Sequence, residues 1–96
     1  MAFKEGPFAF NKATIDTRRN DGFCVYGLSQ SASQSGIAYV GKSTTLRDRL
    51  TYWLNNPPGR GLTHFFAEAL TTEAQMTARE EELIKEFKPI LNTLLK

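Results

Sequence analysis

Apolar residues recur along this chain with two different periods. Phe23-Cys24-Val25-Tyr26-Gly27-Leu28 and Ile37-Ala38-Tyr39-Val40-Gly41 are short, aromatic and β-branched runs, and the polar stretch from Ser29 to Gly36 between them predicts a hairpin with a loose loop. Pairing Leu28 with Ile37 sets Tyr26 directly opposite Tyr39, two phenols side by side on one face. Behind Thr45, a candidate helix cap with Asp48 three residues on, Leu46, Leu50, Trp53 and Leu54 return at helical spacing until Asn55-Asn56-Pro57-Pro58-Gly59 stops them. Thr63 to Leu70 suits a third strand. Thr72 with Gln75 then reads as a second capping box, opening a helix that should run to about Lys88, where Pro89 ends it.

Residues 1–21 are polar, with Pro7, Asn11, Asn20 and Asp21 as breakers, and predict an irregular lead-in holding at most a short helix near Lys12 to Arg18. The expected fold class is α/β of the α+β kind, a single domain over residues 22–96. Its expected core is a small three-stranded, mainly antiparallel sheet flanked by helices, in the order β-β-α-β-α. A length of 96 residues with 41% hydrophobic and 23% charged side chains fits one compact domain and leaves little room for a separate specificity domain.

One cysteine, Cys24, excludes an internal disulfide, and one histidine, His64, leaves no Cys/His set for zinc. No apolar run approaches a membrane span and the opening residues lack the pattern of a signal peptide, so a cytoplasmic protein without a membrane partner is expected. The net charge of +2 permits a nucleic-acid partner without demanding one. Its distribution is uneven: Arg18, Arg19, Lys42, Arg47, Arg49 and Arg60 precede a last third crowded with Glu73, Glu80, Glu81, Glu82 and Glu86.

Glu80 stands apart from the other acids. On a helical projection Met76, Leu83, Ile84 and Phe87 share one arc and Glu80 falls inside it, whereas Glu81, Glu82, Lys85 and Glu86 point elsewhere. An ionised carboxylate on a core-facing arc needs a cationic partner or a metal. Arg49 flanks the apolar arc of the first helix, where its stem can be covered while the guanidinium reaches a cleft. Gly36 to Ser43 matches the phosphate-binding-loop pattern letter for letter, but that loop needs a strand before its first glycine and a flexible turn between the glycines. Here a polar loop comes first and an apolar run fills the gap, which leaves a nucleotide-binding protein as a minor alternative.

Taken together, these residues resemble the GIY-YIG nuclease superfamily over roughly residues 22 to 92. Cys24-Val25-Tyr26 stands at the first signature, Tyr39-Val40-Gly41 is similar to the second, and the run through Arg49-Leu50 looks like the strand leading into the family's arginine helix. Glu80 through Asn92 is similar to the metal-binding glutamate, the Leu-Ile-Lys run and the closing Pro-x-x-Asn. The match looks closest to the amino-terminal nuclease of bacterial excision-repair endonucleases and to stand-alone members. Two departures stand out: Cys24 replaces a glycine, and Trp53 sits where many members have tyrosine or histidine.

The resemblance implies a DNA endonuclease with one Mg²⁺ or Mn²⁺ on Glu80, Arg49 on the phosphate, and Tyr39 or Tyr26 as base. Lys42 would hold the attacking water or a phosphate, and Asn92 would brace the site. Neighbouring Lys42 and Arg49, together with the metal, are expected to draw a tyrosine pKa down. Lys42, Arg47, Tyr52 and Trp53 are the expected DNA contacts, and Tyr52 or His64 could replace the helper group missing at Trp53. Aromatic side chains at Trp53, Tyr52, Phe65 and Phe66 suit stacking on unpaired bases, tilting the expectation toward single-stranded or structured DNA, although strand alternation sends one of the two phenylalanines inward. A monomer or a homodimer is expected, since cutting both strands of a duplex calls for two copies. The alternative is a nucleic-acid-binding module that keeps the fold without turnover.

Overall fold

The computed structural model describes residues 3–94, the side chains of the last two excepted. Four strands, β1 (Glu5–Ala9), β2 (Phe23–Ser29), β3 (Ile37–Ser43) and β4 (His64–Leu70), form one antiparallel sheet in the order β1-β4-β2-β3. The helices are α1 (Lys12–Ile15), α2 (Leu46–Asn55), α3 (Glu73–Phe87) and α4 (Ile90–Leu94). An α+β domain is therefore the architecture, with four strands where three are expected from the sequence. The additional strand comes from the supposedly irregular lead-in: Glu5–Ala9 pairs with β4 at the sheet edge, where Pro7 and a register shift are tolerated because one side needs no partner.

Strand alternation builds a core on each side of the sheet. Cys24, Tyr26, Leu28, Phe65 and Ala67 meet Ile15, Leu46 and Leu50 on the α1/α2 face. Val25, Val40 and Phe66 meet Phe3, Met76 and Leu83 on the other. Phe65 and Phe66 are thus both buried, each worth roughly 1.5–3 kcal/mol of apolar burial, and neither is available to stack on a base. The expected alternation holds, with the two rings on opposite faces, and both are buried because helices cover both faces.

Helix ends are secured by partly different groups from those the sequence suggests. Thr45 makes no side-chain cap to α2; instead Asn20 Oδ1 accepts from the Asp48 N–H at 3.0 Å, tying the first turn to the loop before β2. Thr72 does cap α3 by accepting from Gln75 N–H, while the Gln75 side chain accepts from Thr71 N–H. Lys88 ends α3 in the left-handed conformation, with φ of 46°, and Pro89 follows as a buried residue.

The β2/β3 register differs from the expected one by two residues: Tyr26 lies opposite Gly41 and Leu28 opposite Tyr39, with an irregularity between Leu28 and Ser29. A two-residue shift preserves faces, so Tyr26 and Tyr39 stay on the same side as diagonal neighbours. Of the residues matching a phosphate-binding loop, Gly36 to Ser43, all but Gly36 are β3 itself, an extended strand that cannot wrap a phosphate.

Candidate functional site

Strand β3 is an edge of the sheet, and α2 and α3 approach it from opposite faces. This placement brings most of the residues singled out from the sequence to one end of the molecule. Tyr39 projects from β3 on the α2 side, Lys42 projects toward α3, and the two helices contribute Arg49 with Trp53 and Glu80 with Thr77 respectively.

An exposed edge strand presents unpaired backbone groups. Asn92 answers part of that need: its Oδ1 accepts from Val40 N–H and its Nδ2 donates to Val40 C=O, both at 2.8 Å. The carboxamide acts as a one-residue strand partner and fixes β3 between Tyr39 and Gly41. α4 is positioned for this by Pro89 and by Leu91, which packs at Gly59 in the loop after α2.

Tyr26 is 2% exposed, and its hydroxyl accepts a 2.7 Å hydrogen bond from Trp53 Nε1. The Tyr26 and Tyr39 rings are 6.2 Å apart, and Trp53 packs on Tyr39 at 5.2 Å. Burial pushes the Tyr26 phenol well above its ordinary range, outweighing the Trp53 hydrogen bond and the Arg49 charge. Tyr39 is half-buried, and it too is raised: burial first and the Glu80 carboxylate second outweigh the lowering by Arg49 and by the neighbouring Tyr26 hydroxyl. The expectation that neighbouring cations draw a tyrosine down is not met by the protein's own groups. Lys42 projects toward α3, where its ammonium faces Glu80.

Gly41 explains how Tyr26 fits. A Cβ at Gly41 would lie 2.5 Å from the Tyr26 hydroxyl oxygen and 2.6 Å from Cζ, in a place where the ring is enclosed and cannot retreat. Gly41→Ala is expected to cost about 1–3 kcal/mol by overpacking and to pull Tyr26 off Trp53. Thermal unfolding together with the indole N–H resonance of the sole tryptophan tests this, and an alanine variant with unchanged melting and an unchanged resonance would refute it.

Glu80 lies on the inner side of α3, with its side chain 20% exposed. Lys42 Nζ stands 3.8 Å from one carboxylate oxygen and donates to Thr77 Oγ1 at 3.1 Å. Burial raises the Glu80 pKa more than Lys42 lowers it, and Glu81 adds to the rise. At 3.8 Å the Lys42 contact is too long for a hydrogen bond, so the carboxylate keeps lone pairs for a cation with its water shell. Among the described residues no three His, Cys, Asp or Glu side chains come together, and Glu80 is the carboxylate placed here to hold an ion. The donor set fits a hydrated magnesium-like ion.

Thr77 was not legible as a site residue. Its only signal is position, three residues before Glu80 and hence on the same helical face. Arg49 is exposed and its guanidinium lies 5.7 Å from the Tyr52 ring, while Tyr52 is 49% exposed and stacks edgewise on Trp53. Arg47 is half-buried on the same helix. His64 lies at the start of β4 beside Ser29 and bonds Thr63, so among the described contacts it has none with the tyrosine pair. Compared with protein-family models, curated proteins and solved structures, the chain has no match, and a functional reading rests on this geometry.

Proposed function

We propose that the protein is a divalent-metal-dependent endonuclease of the GIY-YIG kind that hydrolyses DNA phosphodiester bonds, with single-stranded or structured DNA preferred. The observation that supports it best is convergence: Tyr39 feels both the Glu80 carboxylate and the Arg49 guanidinium, although the three come from β3, α3 and α2. Phosphodiester hydrolysis needs a proton acceptor for water, a cation for the phosphoryl oxygens and relief for the leaving oxygen.

Arg49, planar and solvent-facing, is suited to a two-pronged contact with the non-bridging oxygens. Tyr39 is the partly exposed tyrosine of the pair, so it takes the base role in preference to enclosed Tyr26. Glu80 would hold Mg²⁺ or Mn²⁺, which when bound supplies polarisation of the phosphate and stabilisation of the leaving oxygen. Neutralising Glu80 also removes the charge that opposes a phenolate at Tyr39. Lys42, tethered by Thr77, orients a phosphate or water beside Glu80, and Asn92 holds the strand that carries Tyr39. Tyr52 and the Arg47 stem extend the contact surface along α2.

A binding module without turnover is the second reading, favoured by the raised Tyr39 phenol. Purified protein incubated with single-stranded, duplex and branched DNA in Mg²⁺ or Mn²⁺ separates the two. Metal-dependent cleavage lost in Glu80→Ala is the expected result. Full cleavage by Glu80→Ala would remove the proposed site, and tight binding with no cleavage under either metal would select the binding module.

A further inference from the structure

The loop between α2 and β4 builds a second concavity on the α1/α2 side of the sheet. It measures about 510 Å³, within the roughly 300–1,000 Å³ of small-molecule sites. Phe10, Leu54, Pro57 and Leu62 give it apolar walls, and Gly59 and Gly61 leave stretches of its lining without side chains. The loop is held at several points. Arg60 C=O accepts from Gln30 Nε2 at 3.2 Å, Thr63 N–H donates to Ser29 C=O and Phe10 N–H to Thr63 C=O, both at 2.9 Å, and Leu91 closes on Gly59. The concavity is therefore part of the fold and is formed before any ligand arrives. A Cβ at Gly61 would meet nothing within 4 Å, so its φ of 73° and not crowding is the reason for glycine there, and the space beside it is open.

Arg60 is the charged residue of this lining; it is exposed, and among the described residues no carboxylate pairs with it. A wholly apolar ligand would leave the guanidinium unused, and a bare anion would leave the apolar walls unused. An occupant that uses both is a flat ring tethered to a phosphate. We propose that this concavity takes one unpaired base of the DNA strand cut at the nuclease site, with Arg60 on the adjoining phosphate. Helix geometry links the two places. At 100° per residue, Trp53 turns to Tyr39 of β3 while Leu54 turns away toward Phe10, and Leu54 lies about 7.5 Å along the α2 axis from Arg49. The outer surface of α2 between these flanks carries Tyr52 and Asn55, both exposed. A single strand can bend around that end of the helix; a duplex, stiff over roughly 150 base pairs, cannot. That the base belongs to a cleaved strand rests on the nuclease reading above; that the concavity takes a base does not.

Titrating the isotope-labelled chain with hexathymidylate in metal-free buffer tests this by NMR. The Leu54 and Leu62 methyls and the Gly59 and Gly61 amides should shift. An oligomer with the same phosphates and no bases should leave these signals in place. Equal shifts with the base-free oligomer mean an anion site, thymidine monophosphate bound as tightly as the hexamer means a free-nucleotide site, and unmoved signals mean that no base enters. Each of these overturns the proposal. By fluorescence anisotropy, Arg60→Glu should weaken the hexamer about tenfold, in the range of one lost base contact. Lys85→Glu on the outer side of α3 makes the same change in net charge and should weaken it far less. Both side chains are exposed, so both variants should fold; equal weakening would mean that net charge alone acts, and overturns the role of Arg60. Cleavage with unmoved signals keeps the nuclease reading and loses the base site. Moved signals without cleavage under either metal keep the base site and lose the nuclease reading.

Discussion

Arg79→Met is expected to destabilise the domain by roughly 3–5 kcal/mol, the usual result of stranding one member of a buried ion pair. Glu68 lies on the α3 side of β4 with its side chain 4% exposed, and Arg79 of α3 reaches it twice, Nε to Oε2 at 3.0 Å and NH2 to Oε1 at 3.2 Å. The same guanidinium also binds Glu82. Methionine would fill most of the space and leave the carboxylate enclosed without its partner. Domains of this size are stable by about 5–15 kcal/mol in all, so the variant should melt on the order of 20 °C lower and lie close to unfolding at body temperature. The companion change Glu68→Gln in the same chain should restore most of the loss, because removing both charges is far less costly than removing one. Urea and thermal unfolding of the single and double variants measure this directly. A single variant within 1 kcal/mol of the parent would show that Glu68 finds water or another partner.

Glu68 also shows where a sequence reading stops. The criterion that singles out Glu80, a carboxylate inside an apolar pattern, applies equally to Glu68 within Phe65-Phe66-Ala67-Glu68-Ala69-Leu70. Yet Glu80 faces Lys42 near the surface and Glu68 is neutralised inside the fold. Periodicity identifies a carboxylate that needs a partner; only the packing of α3 tells which partner it has.

Strands β2 to β4 and helices α2 and α3 were legible because each carries its own period and stop signals. β1 was not, since Glu5-Gly6-Pro7-Phe8-Ala9 has no alternation and is made a strand by β4, which needs a neighbour on that side. The hairpin register failed for a related reason. Matching apolar ends, Leu28 with Ile37, ignores the size of what lies across the strand, and Tyr26 requires the glycine at position 41. The diagonal tyrosine pair survived because a shift of two leaves faces unchanged. In sequence terms Trp53 marks only a missing helper group, whereas its indole N–H binds Tyr26. That role depends on the approach of α2 to β2, which no local pattern encodes.

Glu80→Gln is expected to separate stability from activity. If Glu80 anchors the metal, the amide should lower metal-dependent cleavage by at least about a hundredfold, comparable to losing a principal electrostatic group. The same change should leave the fold no less stable at neutral pH. The folded-state pKa of Glu80 is raised above its ordinary 4.5, chiefly by burial, so the folded protein holds this proton more tightly than the unfolded chain. Its effect on stability is therefore an unfavourable one that is fully present above the raised folded pKa. That penalty shrinks as pH falls through this value and is gone below about 4.5. Glutamine removes it at every pH and gives up only the long, partly exposed contact to Lys42, worth little. Relief of a strained functional group commonly adds about 0.5–2 kcal/mol, which is several degrees of melting temperature here. The difference between variant and parent should thus be largest near pH 7 and vanish near pH 4. Added Mg²⁺ should stabilise the parent, by about 2.7 kcal/mol at a hundredfold excess over Kd, and leave the variant unmoved. A variant that melts lower at pH 7, or that gains as much from Mg²⁺ as the parent, would mean that Glu80 is a structural partner of Lys42, and the metal would have to be sought elsewhere.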